Sequence, residues 1–317
     1  MFRSKLHRRK FLQTSTAIAA LSLLPKSVLS AQNSEGLSEI ASGVFVHTGH
    51  HGLASDANHG DISNASIIVG KDAVAVIDTS STAKMGKALL DEIRKVTQKP
   101  IRYVINTHMH PDHVLGNAAF KAEGTAFVAH HKMARGLTSR AEGYLNGTRE
   151  AVGEENFAGT EIVLPNIAIK EEKTLDLGDR IIKLKARPTA HTDNDLTIYD
   201  ETTKTIILGD LLFSEHIPTL DGSIVGWLKL IDVMKSESAE RVIPGHGPNS
   251  LPWPTALEPL KAYLATIAKE VRAQIAQGQT LSHASKTVGT EAKAAWLFHE
   301  QYHGRNVAAA FAELEWE

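Results

Sequence analysis

The chain has 317 residues, 34 Lys and Arg against 36 Asp and Glu, and sixteen histidines. It has no cysteine, so a disulfide framework and a thiolate metal site are both excluded, and any metal must rest on imidazole and carboxylate. Residues 1–30 hold six of the basic residues and no acid, which leaves 28 basic against 36 acidic residues beyond them; such an acidic body without a basic stripe argues against a nucleic-acid partner.

Arg8-Arg9-Lys10-Phe11-Leu12-Gln13 reads as a twin-arginine export signature. The apolar stretch Thr14 to Leu24 is too short to span a bilayer, and Val28-Leu29-Ser30 before Ala31 reads as a cleavage site. Residues 1–30 are therefore expected to be a signal peptide. That places the mature chain in the periplasm, makes the twin-arginine export machinery a transient partner, and leaves no stable membrane anchor. Export of a folded protein suits a chain that takes up its metal in the cytoplasm.

Residues 31–43 read as an exposed lead-in. "GVFVHTG", "NASIIVG" and "AVAVIDT" read as strands, the last ending in Asp78. A helical pattern follows from Thr82 to Val96. "PIRYVINT" is the next buried strand, and "TAFVAHH" another, leading into a helix near residue 132. Residues 138–165, with weak periodicity and several glycines, read as a helical or loop excursion. "KTLDLGDRIIKLKARPT" reads as a hairpin turning at Gly178-Asp179, and "DLTIYDETTKTIILGD" as a second turning at Glu201 to Lys204. "AERVIPGHG" is a last short strand. Leu257, Leu260, Leu264, Ile267, Val271 and Ile275 recur at helical spacing and stop before Gly278. Two β-rich halves with outer helices make one domain over residues 31–278. Residues 279–317 make a helical tail packed on it, with Ala292 to Trp296 and Val307 to Leu314 helical.

Between "PIRYVINT" and a helix start lies "THMHPDHVLGN", with His108, His110, Asp112 and His113 within six positions. Buried imidazoles and carboxylates need partners, so four on one turn make poor core material and good metal ligands. Ligands bind where strands end and helices begin in open α/β architectures. Later strands are expected to end in further residues of the same kind: His191 in "RPTAHTDND", Asp210 after Gly209, and His246 between two glycines. Glycine there lets backbone approach a site closely.

These positions resemble the metallo-β-lactamase superfamily. Its His-x-His-x-Asp-His motif stands as residues 108–113, its later His, Asp and His as His191, Asp210 and His246, and its strand-ending aspartate as Asp78. The resemblance covers roughly residues 40–265. It implies an αββα sandwich with a dinuclear zinc site at the sheet ends. His108, His110 and His191 would hold the first Zn2+, and Asp112, His113 and His246 the second. Asp210 would bridge them, and Asp78 would orient the motif loop. Two such cations lower the pKa of a shared water and hold it as hydroxide, which would attack a small substrate's ester, thioester or amide. Asp112 would pass a proton to the leaving group.

Asp210 weighs on the branch. Metallo-β-lactamases generally carry Cys or Ser there, whereas glyoxalase-II-like hydrolases carry the bridging Asp. A class B β-lactamase is therefore the lesser reading. A mononuclear iron persulfide dioxygenase and a non-catalytic periplasmic relay or binding partner remain as alternatives. The export signal, "HPDHVLGN" and "DANHGDISNASIIVG" look like the periplasmic zinc metallohydrolases of sulfur-oxidation and quinoprotein relay systems.

"HEQYH", residues 299–303, matches the zinc-protease pattern His-Glu-x-x-His but is a short motif in a histidine-rich chain. Its histidines are expected at the surface or packing the tail, with Gly304 ending the helix. His47, His50, His51 and His59 lie in a loop expected to flank the cleft. His130 and His131 read as structural, Asn64 as minor, and Trp227, Trp253 and Trp296 as packing.

Overall fold

β-Branched runs separated by Gly-, Asp- and Ser-containing turns give two sheets. The computed structural model describes residues 36–121 and 124–317, so the expected signal peptide lies outside the described residues. The first sheet runs in chain order: β1 (Ser38–Ala41), β2 (Val44–His47), β3 (Ala65–Val69), β4 (Val74–Ile77), β5 (Ile101–Ile105), β6 (Ala126–His130) and β7 (Ile167–Ile169). Strands β1 to β4 pair antiparallel and β4 to β7 parallel. Parallel neighbours need crossovers. These are supplied by α1 (Ala83–Val96), by α2 (Pro111–Val114) with a 3-10 turn, and by α3 (Met133–Val152) with α4 (Glu154–Phe157).

The second sheet contains β8 (Glu172–Asp176), β9 (Ile181–Ala186), β10 (Leu196–Asp200), β11 (Thr205–Phe213), β12 (Arg241–His246) and β13 (Leu251–Pro252), in the order β13-β12-β11-β10-β9-β8. The two expected hairpins are β8–β9 and β10–β11, both antiparallel. The parallel pair β11–β12 is joined through α5 (Ile224–Met234), a helix absent from the sequence reading. The chain ends in α6 (Glu258–Ala276), α7 (Leu281–Thr287) and α8 (His299–Leu314). Among the described residues no helix is long and apolar enough to cross a membrane.

The layers follow from alternation along the strands. Val44, Val46, Ile68, Ala75, Ile77 and Ile105 face Ile182, Leu184, Leu196, Ile198, Ile207 and Ile243 between the sheets. The opposite residues of the first sheet, Ile67, Val74, Val76 and Val104, take Leu89 and Ile93 of α1. Ile206, Leu208 and Val242 of the second sheet take α5, α6 and α8. Helix, sheet, sheet, helix is the expected αββα sandwich.

The structure sharpens two local expectations and overturns a third. The excursion at 138–165 is mostly α3, which runs unbroken to Val152 through Gly143 and Gly147 because Met133, Leu137 and Val152 are buried. Residues 290–295 form a 3-10 turn and not an α-helix. Gly304 does not end α8; buried Val307, Ala310, Phe311 and Leu314 carry the helix ten residues further, to Leu314. Tertiary burial outweighs the roughly 1 kcal/mol helix cost of one glycine.

The tail is fastened firmly. Glu313 accepts hydrogen bonds from Ser223 Oγ at 2.5 Å and Ile224 N at 2.7 Å, and so caps α5. Asn306 donates to Pro218 O at 2.7 Å and accepts from Leu220 N at 2.9 Å.

Candidate metal centre

The motif turn is set by its apolar members. Met109 packs with Met133 and Leu137 of α3, while Val114 and Leu115 are buried beyond it. His110 is the N-cap of α2 and Pro111 its first residue, which fixes the turn and puts Asp112 and His113 in the first helical turn. Asp78 follows β4 with φ of +60°. Its carboxylate accepts from Thr107 N at 2.8 Å and Thr107 Oγ1 at 2.7 Å and lies 2.9 Å from His113 Nδ1.

Asp210 corrects the sequence expectation. It does not end a strand but lies inside β11, which continues to Phe213 with its register broken around Gly209. Gly209 has φ of +52°, and a Cβ there would meet Thr107 Oγ1 at 2.5 Å. A Cβ on Gly245 would meet Asp210 Oδ1 at 1.9 Å. These two glycines let β5, β11 and β12 converge on one carboxylate.

All seven candidate residues come together, in two groups: His108, His110, His191 and Asp210, and Asp112, His113 and His246. Within each group one ligand atom per residue lies within 4.8 Å of the others. Asp210 also reaches the second group, with Oδ1 3.2 Å from His113 Nε2 and Oδ2 3.5 Å from His246 Nε2.

Every imidazole is held by one nitrogen from outside. His113 Nδ1 faces Asp78, His191 Nδ1 faces Thr219 O at 2.7 Å, and His246 Nδ1 faces Ile62 O at 2.9 Å. His108 Nδ1 lies 3.0 Å from Thr107 Oγ1, whose own proton goes to Asp78. His110 is reversed: its Nε2 faces Asp221 Oδ2 at 3.0 Å. Acceptors on the outside hold one ring nitrogen of each imidazole and turn the other inward.

The inward atoms fit cations. His110 Nδ1 and His191 Nε2 lie 3.1 Å apart, so with both protons outside two lone pairs confront each other. His108 Nε2, His113 Nε2 and Asp210 Oδ1 are buried without any hydrogen-bond partner. Such atoms are costly to bury unless something binds them. Burial, then the neighbouring imidazoles, holds His108 well below the usual histidine range and His191 at about 3. Against burial, which would raise them, the surrounding histidines keep Asp112 and Asp210 well below the usual carboxylate range. The carboxylates in turn lift His246 to about 9, despite its burial.

The group opens into a cleft of about 370 Å³, within the range of small-molecule sites. His110, Asp112, Asp210 and His246 line its floor. Arg140 and Tyr144 of α3 form one wall, Tyr302 and Arg305 of α8 another, and Ala54 and Ile62 come from the loop after β2. That loop does flank the cleft, but none of its histidines lines it. His47 Nε2 lies 2.8 Å from Asp61, and His51 Nδ1 lies 2.9 Å from Glu215.

Several residues here were not singled out by sequence. Asp221 grips Arg140 with both oxygens, and its backbone N donates to His191 O at 3.0 Å. Asn64, given little weight, ties the His246 turn to the first sheet by donating to Pro244 O and Gly247 O. Tyr302 and Arg305 share one face of α8 by their i, i+3 spacing, the one available signal. The "HEQYH" histidines pack the tail: both are buried, their rings stack at 4.0 Å, and His303 bonds Tyr263 OH and Val288 O. With both nitrogens committed, His303 has none left for a metal. Trp227 is buried and packs on His191, Trp253 donates to Glu237 O, and Trp296 meets Tyr263 edge-on.

Residues 59–246 match the family described as the metallo-beta-lactamase superfamily. The chain belongs to this superfamily. A type 2 metallo-beta-lactamase from Bacillus sp. is 22% identical over 253 residues, 77% of this chain and 89% of that protein. A linear primary-alkylsulfatase from Pseudomonas sp. is 35% identical, but over only 57 residues, 18% of this chain and 11% of that protein. Among solved structures, a stereoselective inverting sec-alkylsulfatase from Pseudomonas sp. superposes with a TM-score of 0.69 at 18% identity, over 87% of this chain and 49% of its own. The chain thus spans about half of that protein. A metallo-beta-lactamase from Pontibacter korlensis gives 0.57 at 20% identity, over 72% of this chain and 98% of its own.

Proposed function

We propose that this chain is a dinuclear zinc hydrolase that cleaves an ester, thioester or amide of a small substrate. The observation that carries the reading is the inward-facing ligand set, five imidazole nitrogens turned towards the Asp210 carboxylate, with three buried atoms left unpartnered. Its named relatives are hydrolases, which supports the same reading.

His108, His110 and His191 would hold the first cation and Asp112, His113 and His246 the second, with Asp210 touching both. Bound divalent cations polarise a carbonyl and lower the pKa of bound water towards neutrality. The chain's own residues do the rest. Asp112 opens into the cleft and stays ionised, so it can accept a proton and deliver it to the leaving group. Asp78 holds the Thr107 backbone and His113 ring in place, which keeps the motif turn in register with β4. Asp210, where lactamases generally carry Cys or Ser, favours the glyoxalase-II-like branch. The twin-arginine signature supports work in the periplasm after export.

The test is a side-by-side assay of a thioester, an aryl ester and nitrocefin with the zinc-loaded chain. The reading expects thioester or ester turnover well above nitrocefin turnover. Efficient nitrocefin hydrolysis with negligible ester cleavage would replace it with a β-lactamase.

A further inference from the structure

The connection between β11 and α5, residues 214–223, forms neither helix nor named strand. It nevertheless carries the outer partners of the first ligand group. Thr219 O lies 2.7 Å from His191 Nδ1, Asp221 Oδ2 lies 3.0 Å from His110 Nε2, and Asp221 N donates to His191 O at 3.0 Å. The setting of His191 and His110 therefore depends on where this connection sits. Its inner side has no slack. A Cβ on Gly222 would meet Ala190 O at 2.4 Å and Thr192 O at 2.9 Å, and Ser223 N donates to Ala190 O at 2.8 Å.

The outer side is held by the tail at three points. Leu297 N donates to Glu215 O at 2.8 Å, and Leu297 O accepts from Ile217 N at 3.1 Å. Asn306, buried, donates to Pro218 O and accepts from Leu220 N, so one amide grips the chain on both sides of Thr219. Glu313 accepts from Ser223 Oγ and Ile224 N, just past Asp221. Asn306 and Glu313 stand seven positions apart, two turns along one face of α8. All three tail residues lie outside the span 59–246 that matches the family. An irregular connection has no ladder of its own to fix it, while ligand geometry must hold to about 0.5 Å. The second group is steadied from elsewhere, His113 by Asp78 and His246 by Ile62 O.

We propose that Asn306 and Glu313 of the tail are positioning residues for the first metal group. By clamping residues 218–224 from outside they fix Thr219 O and Asp221, and through these the orientation of His191 and His110. They act through the connection and bind no cation themselves. The tail is thus part of the metal centre's framework and not only a cover for the second sheet.

The inference rests on the metal-binding part of the reading above and not on hydrolysis, so the probe is zinc alone. Its affinity is measured by chelator competition in the full chain, and again in a His246→Ala background that leaves the first group by itself. Asn306→Leu and Glu313→Ala should each weaken first-group zinc by about threefold to tenfold, less than the 10- to 100-fold of a direct outer partner, and leave the other affinity of the full chain unchanged. Glu313→Gln can still accept from Ile224 N and should recover most of the loss. His303→Ala is the control: it loosens the same helix at Tyr263 and Val288 without touching residues 218–224. It should lower the melting temperature and leave zinc affinity at the wild-type value. A chain that binds zinc as expected but cleaves no ester would end the hydrolytic reading and leave this one standing. Wild-type zinc affinity in both Asn306→Leu and Glu313→Ala, or an equal loss in His303→Ala, would overturn the proposal.

Discussion

Asp221 Oδ2 lies 3.0 Å from His110 Nε2, and this contact decides which nitrogen of His110 faces the cleft. The other four imidazoles are held by Nδ1 and turn Nε2 inward; His110 alone is held by Nε2. Asp221 also bonds the backbone of His191, so one residue steadies two members of the first group.

Asp221→Ala should therefore weaken the first metal by about 10- to 100-fold, as loss of an outer carboxylate does elsewhere, and leave the second nearly unchanged. Competition with a chelator measures both. Arg140→Met should have a smaller effect in the same direction. Equal affinities in Asp221→Ala and wild type would remove the orienting role.

Asp210 joins the two groups. Asp210→Asn keeps the shape and removes a negative charge that the cations share, so at least one of them should bind much more weakly. Asp210→Ser should lose ester and thioester cleavage by roughly a hundredfold or more, the scale of losing a key electrostatic group in a site. Metal analysis beside the kinetics separates the two effects. Full metal content and full activity in Asp210→Asn would argue against bridging.

The tail motif separates structure from metal binding. His303→Ala should leave metal stoichiometry unchanged, since both His303 nitrogens already bond within the tail. It should destabilise the fold by about 1–3 kcal/mol, because Tyr263 OH and Val288 O lose a buried partner. Thermal unfolding and metal analysis of the one variant give both numbers. Loss of a metal equivalent would mean the motif is a site.

A pH effect on stability arises away from the metals, at His130. Burial, then His131 and Lys132, lowers its pKa to about 4. Its Nδ1 accepts from Lys132 N at 3.1 Å, which suits the neutral ring. Between about 4 and the ordinary value near 6.5 the unfolded chain binds a proton that the folded chain does not. The contribution is thus complete above about 6.5 and is lost as the pH falls through that window to about 4. The difference in melting temperature between wild type and His130→Gln should shrink from pH 7 to pH 5. A pH-independent difference would show that His130 titrates normally.

What could be read from sequence was local. His108 to His113 declare themselves within six positions, and Gly178-Asp179 marks a hairpin turn the structure contains. What was missed depends on contacts between distant parts of the chain. His110 and Asp221 are 111 positions apart, and Asn64 meets Pro244 across 180. Nothing near Asp221 marks it, because an aspartate beside a glycine before a helix reads as an ordinary turn. α5 was overlooked because apolar residues lie on most of its surface, which blurs the helical period. Gly304 misled because its propensity cost is small beside the buried face of α8.

The central claim is that the two groups of ligands hold two cations that act together. The most direct measurement is a zinc titration of the metal-free chain, with bound metal and thioester hydrolysis followed on the same samples, repeated for His108→Ala and His246→Ala. The account predicts two equivalents for wild type, activity that appears only as the second fills, and loss of metal and of hydrolysis in both variants. A chain that saturates at one equivalent, or that keeps full metal and activity in His246→Ala, would contradict it.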